Sequence, residues 1–289
     1  MTQASIPGPL ASTQWLIENL GAADLRIIDC TVVMQPTDDG GYTFADGAEI
    51  WRQGHIPGSV FVDVLGELAA KDHALPMMMP PADEFAKTIA GLGVSNDSRV
   101  VLYDRSNHAW AARVWWMLRY CGFERAAVLD GGWTRWVNEA HPTSVEDASF
   151  PPGNFTANVN EKLFAKKQDV VDAVQSSNTC IINALSPEEH RGESSRWPRS
   201  GRIAGSQNVY CQTLIDPNTS AYLSLDELRA KFAASGALSS DRAITYCGAG
   251  IAASSDALVL TLLGQKNVAV YDGSLAEWTA DPDTPMETG

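Results

Sequence analysis

The run from Arg99 to Trp136, RVVLYDRSNHAWAARVWWMLRYCGFERAAVLDGGWTRW, is echoed by the run from Arg242 to Trp278, RAITYCGAGIAASSDALVLTLLGQKNVAVYDGSLAEW. Upstream of each lies a second matching pair, GHIPGSVFVD from Gly54 and GRIAGSQNVY from Gly201, and IIDC near Ile27 echoes IINA near Ile181. The pairs fall in the same order at similar separations, so the chain reads as one domain duplicated, each copy about 140 residues. Within each copy a short apolar run (RVVLYD, RAITYC) passes at once into a helical stretch, Asn107 to Tyr120 and Gly250 to Leu263. A further short run closed by glycine follows. Strands alternating with helices predict an α/β fold, each copy a small parallel sheet flanked by helices with right-handed crossovers. The spacing predicts a first domain over 1–142, a connector over 143–159 and a second domain over 160–289. The connector is polar and holds Pro151 and Pro152 without helical or strand period.

Composition narrows the functions. The net charge of −14 lacks the basic face that a nucleic-acid binder needs. It also repels an anionic substrate unless the site supplies local positive charge. No stretch reaches the ~18 apolar residues of a membrane span, and Met1 to Leu10 has no basic head followed by an apolar run. The five cysteines (Cys30, Cys121, Cys180, Cys211 and Cys247) are odd in number and form no CxxC pair. A disulfide framework and a zinc site are therefore not expected, and a reducing, cytoplasmic setting is.

Cys247 falls where a strand ends and a helix begins, the place at which open α/β sheets build their sites. Small residues dominate the stretch that follows: Gly248, Ala249, Gly250, Ile251, Ala252 and Ala253. Such a turn can fold its N–H groups inward as an anion-binding nest, with the helix N-terminus behind it. A cysteine held there is expected to have a lowered pKa and to act as a nucleophile. A buried, inert cysteine among small residues is the competing reading. A phosphatase-type loop would need an arginine at the position of Ala253.

In combination, HIPG from His55, YDRS from Tyr103, LDGGWTRW from Leu129, YCGAG from Tyr246 and YDGSLAEW from Tyr271 resemble the tandem rhodanese sulfurtransferases over nearly the whole chain. The resemblance implies a non-catalytic first copy, and Asp104 indeed stands where Cys247 stands in the second. It also implies a persulfide on Cys247 and no metal or organic cofactor. Cys-Gly-Ala-Gly is similar to the loop of the 3-mercaptopyruvate branch; thiosulfate-using members carry Cys-Arg-Lys-Gly. The branch implies that Arg191 and Arg199 hold the donor, with Arg196 as a substitute for Arg199. It further implies a first-domain contribution from His55 and Asp46 to a loop hydroxyl that Ala249 here replaces. A structural role for His55 in its HIPG turn is the stronger expectation. Asn183 stands where the family has an aspartate, and Ala252 where many members have a hydroxyl. The implied acceptor is cyanide or a thiol, such as thioredoxin or a low-molecular-weight thiol. Thiosulfate:cyanide transfer and a non-catalytic binding module are the alternatives.

Overall fold

The computed structural model describes residues 5–37, 42–194 and 196–289. It divides into two compact units, one taking in the chain to Lys71, Met79–Val159 and Asp216–Tyr222, the other Asp72–Met78, Asn160–Ile215 and Leu223–Gly289.

In the first unit the elements run β1 (Leu10–Ala11), α1 (Thr13–Asn19), β2 (Leu25–Asp29), β3 (Val32–Pro36), β4 (Tyr42–Asp46), α2 (Ala48–Gln53), β5 (Ser59–Phe61), α3 (Ala82–Gly91), β6 (Arg99–Tyr103), α4 (Ala109–Tyr120), β7 (Ala126–Leu129) and α5 (Gly132–Asn138). Five strands form one sheet in the order β1-β7-β6-β2-β5, every pair parallel. β3 and β4 form a separate antiparallel ribbon. The expected strands and the long helix are present, and the helix begins two residues after Asn107.

The second unit runs β8 (Phe164–Ala165), α6 (Lys167–Val174), β9 (Thr179–Asn183), α7 (Pro187–Arg191), β10 (Arg202–Ile203), β11 (Gln207–Asn208), α8 (Leu225–Ala233), β12 (Arg242–Tyr246), α9 (Ile251–Leu262), β13 (Val268–Tyr271), α10 (Ser274–Trp278) and β14 (Met286–Glu287). Its five-stranded sheet, β11-β9-β12-β13-β8, is again parallel throughout. Its order reproduces the first sheet strand for strand.

The copies agree down to single hydrogen bonds. The Tyr103 hydroxyl meets Ser59 Oγ at 3.1 Å and accepts from Ile56 N at 3.4 Å. The Tyr246 hydroxyl meets Ser206 Oγ at 2.8 Å and accepts from Ile203 N at 3.1 Å. Each tyrosine thus ties the HIPG or RIAG turn to the central strand. Trp136 and Trp278 are both fully buried and donate Nε1–H to Pro142 O (2.8 Å) and Pro285 O (3.1 Å). Truncating either would cost about 3–5 kcal/mol. Trp110, Trp115 and Trp116 are buried along α4, which makes them packing residues. Segment 143–159 lies along the first unit: Phe155 packs against Phe85 and Phe123, and Asn158 N donates to Cys121 O at 2.8 Å.

Candidate active site

Cys247 sits at the carboxyl end of β12, between that strand and α9, and is 3% exposed. The backbone N–H groups of Ala249, Gly250, Ala252 and Ala253 face its sulfur and favour its thiolate form. The turn closes through Gly250, which caps α9 with φ +78°, a conformation that glycine adopts without strain. The nest is therefore built as the small residues imply.

Its effect on the thiol differs from expectation. Burial pushes the Cys247 pKa up, and the four amides oppose burial without overcoming it. Removing a thiolate from water costs more than four amide dipoles return. Cys121 and Cys180 have no such help: burial alone pushes Cys121 up to about 12 and Cys180 to about 11.

One residue that the sequence reading missed holds the loop together. Ser274 Oγ accepts from Cys247 N at 3.1 Å and from Gly250 N at 3.2 Å, and donates to Tyr271 O at 2.8 Å. Ser274 is fully buried with φ +49°, a region that a residue with a Cβ enters only under strain. Gly132 holds the matching place in the first copy at φ +50°. The available signal was YDGS against LDGG: a hydroxyl in the copy that keeps its cysteine and none in the copy that lost it. Leu275 N donates to Cys247 O (3.1 Å) and Ala276 N to Gly248 O (3.0 Å), so α10 fixes the loop from the same side.

The first copy shows what the nest holds when the cysteine is gone. Asp104 is buried, its Oδ1 accepting from Ser106 N (2.9 Å) and His108 N (3.1 Å) and its Oδ2 from Ala111 N (3.1 Å). The Asp104 side chain here occupies the place that the Cys247 sulfur occupies in the second unit.

The arginines fall apart as a set. Arg191 ends α7 with its side chain 40% exposed, paired to Glu193 at 2.7 and 2.8 Å and to Glu188 at 3.7 Å. Arg196 is exposed and meets Glu189 at 3.1 Å. Arg199, expected to hold the donor, is enclosed by a turn. It donates to Trp278 O (3.0 Å), Thr279 O (3.3 Å) and Thr284 O (2.9 Å). The Trp278 and Thr279 carbonyls end α10, that of Thr284 follows the helix, and together they satisfy the guanidinium.

In the first unit, both ring nitrogens of His55 are taken, Nδ1 by Trp51 O (2.9 Å) and Nε2 by Glu146 O (3.1 Å). The ring also stacks on Trp51. Asp46 is exposed on β4 and accepts from Ala48 N at 2.9 Å, which starts α2. Both have structural work within their own unit. Among the described residues no cluster of metal-ligating side chains is found.

A parallel-sheet unit made twice, with a cysteine in an amide nest in one copy and a carboxylate in the other, defines a tandem sulfur-handling protein. The model of the rhodanese-like domain matches residues 12–139 and 160–281, and the chain belongs to the rhodanese-like family as a tandem-domain sulfurtransferase. It is 32% identical to the 3-mercaptopyruvate sulfurtransferase of Escherichia coli K12, over 94% of this chain and 95% of that one. It is 31% identical to the thiosulfate sulfurtransferase of Cricetulus griseus, over 97% and 95%. The crystal structure of the 3-mercaptopyruvate sulfotransferase SseA from Escherichia coli matches with a TM-score of 0.82 and 30% identity, covering 92% of this chain and 98% of that one.

Proposed function

We propose that this chain moves sulfane sulfur from 3-mercaptopyruvate to a thiol or cyanide through a persulfide on Cys247. The carrying observation is the neutral nest: four amides converge on one sulfur, with no basic side chain anywhere in Gly248–Ala253. A donor that depends on two negative charges gains little there on a chain of net charge −14. A monoanionic α-keto acid needs one cation. Arg191 suits that part, since its pairs with Glu193 and Glu188 are exposed and a substrate carboxylate can displace them at small cost.

In the first half-reaction Cys247 loses its proton and attacks the sulfur of 3-mercaptopyruvate. The S–S bond forms as the C–S bond breaks, and its electron pair leaves on pyruvate enolate. The enolate carbon takes up a proton equivalent to the one Cys247 released, and water can relay it. In the second half-reaction an acceptor thiolate attacks the outer sulfur and returns Cys247 as thiolate. The amides stabilise negative sulfur in both halves. Gly248, Ala249, Gly250, Ile251, Ala252 and Ala253 thus act through backbone and small size. The first copy carries no sulfur. A thioredoxin-like dithiol or a small thiol in a reducing cytoplasm serves as acceptor.

The test is pyruvate and sulfide release from 3-mercaptopyruvate with a dithiol acceptor, with thiosulfate run in parallel. Wild type should favour 3-mercaptopyruvate in kcat/KM and Cys247→Ser should fall to background. Equal or better use of thiosulfate would overturn the donor assignment.

A further inference from the structure

The two copies permit an internal comparison at the residue after the nest anion. In the first copy this is Arg105, whose guanidinium stacks on Trp133 at 4.2 Å and lies 3.8 Å from the buried Asp29 carboxylate. In the second it is Gly248. The surroundings correspond: Trp133 N donates to Asp104 O (3.2 Å) as Leu275 N donates to Cys247 O (3.1 Å). Thr31 N donates to Asp29 Oδ1 as Leu185 N donates to Asn183 Oδ1, both at 2.9 Å. The arginine and its aspartate have therefore been replaced together, by Gly248 and the neutral Asn183. What fills the emptied volume is Trp197, from the loop between α7 and β10. A Cβ on Gly248 would overlap the indole ring, with Cη2 at 3.1 Å and Cζ2 closer still. Trp197 is half-buried and also packs against the apolar core that contains Tyr246, Tyr271 and Trp278.

We propose that Trp197 is a specificity-determining residue of the Cys247 pocket, an indole wall that takes the place of a cation beside the loop and confines the site to small, weakly charged partners. The donor part of this inference rests on the sulfur-transfer reading above. The steric part does not. With Trp197 in place, no basic side chain can stand at 248, and a dianion finds an apolar ring where a guanidinium would be. The same ring narrows the approach to a cysteine that is already 3% exposed.

The test uses the full chain with Trp197→Ala, Trp197→Phe, Gly248→Arg and the double variant Trp197→Ala/Gly248→Arg. Cys247 is alkylated with iodoacetamide and, separately, with pyrenyl maleimide, and the labelled peptide is quantified. The expected result is that Trp197→Ala raises the bulky reagent's rate relative to iodoacetamide by about tenfold, whereas Trp197→Phe keeps the wild-type ratio. With thiosulfate, kcat/KM relative to 3-mercaptopyruvate should rise by about tenfold in the double variant and stay low in Gly248→Arg alone, where the arginine meets the indole. An unchanged alkylation ratio in Trp197→Ala overturns the proposal, as does equal thiosulfate gain in Gly248→Arg with and without Trp197. A wild type inactive with both donors would sink the sulfur-transfer reading, and the alkylation ratio would still decide the wall.

Discussion

At Cys247 two opposing effects meet on one sulfur. Burial raises the thiol pKa and four amides lower it. Since burial is the larger effect, the thiolate fraction is small at neutral pH and grows as pH rises through and beyond the ordinary thiol range near ~8.5. Iodoacetamide alkylation of the donor-free protein should therefore climb with pH past the midpoint of a free thiol. A rate already level at neutral pH would show that the amides win. Ser274 allows a second prediction. Ser274→Ala removes the acceptor of two buried N–H groups and keeps the left-handed strain, while Ser274→Gly removes both. The alanine variant should lose about 2 kcal/mol of stability and the glycine variant about 1 kcal/mol less than that, read from denaturation midpoints. Both should lower kcat, because the N–H groups of Cys247 and Gly250 lose their shared anchor.

The elements show how much the sequence disclosed. Strand β12, the nest and α9 were legible because apolar run, small residues and helical stretch are contiguous between Arg242 and Leu262, and local chemistry alone sets them. The duplication was legible for the same reason, since each matched run is local. The arginines were not. Arg199 was read as a donor ligand from the family resemblance and its preceding proline, while its partners in the fold are carbonyls 79 to 85 positions away. No local pattern signals that Arg199 sits at the carbonyls ending α10, though a helix C-terminus favours a cation. The distinction can be measured. Arg199→Ala should cost about 2–3 kcal/mol in stability with KM for 3-mercaptopyruvate little changed. Arg191→Ala should leave stability within about 1 kcal/mol and raise KM. The reverse pattern would place Arg199, rather than Arg191, at the donor. Ser274 lay hidden in another way: its part depends on a left-handed backbone and a partner 27 residues earlier, and only the contrast with Gly132 hinted at it.

Across the whole molecule, one sheet order serves two ends. Each copy places an acceptor of inward-facing amides at the carboxyl edge of its central strand, the Asp104 side chain in the first and the Cys247 sulfur in the second. No described helix is long and apolar enough to cross a membrane. The charge of −14 repels anions at long range, so the proposed donor needs local groups, the part proposed for Arg191 and the amides. Of the five cysteines, Cys247 alone is set in a nest of this kind among the described residues. That claim is tested most directly by treating the full chain with 3-mercaptopyruvate in the absence of acceptor and mapping the products by peptide mass spectrometry. The account predicts the mass of one added sulfur atom on the Cys247 peptide, removed by a dithiol and absent from Cys247→Ser. Sulfur found on another cysteine, or on none while pyruvate is still released, would contradict it.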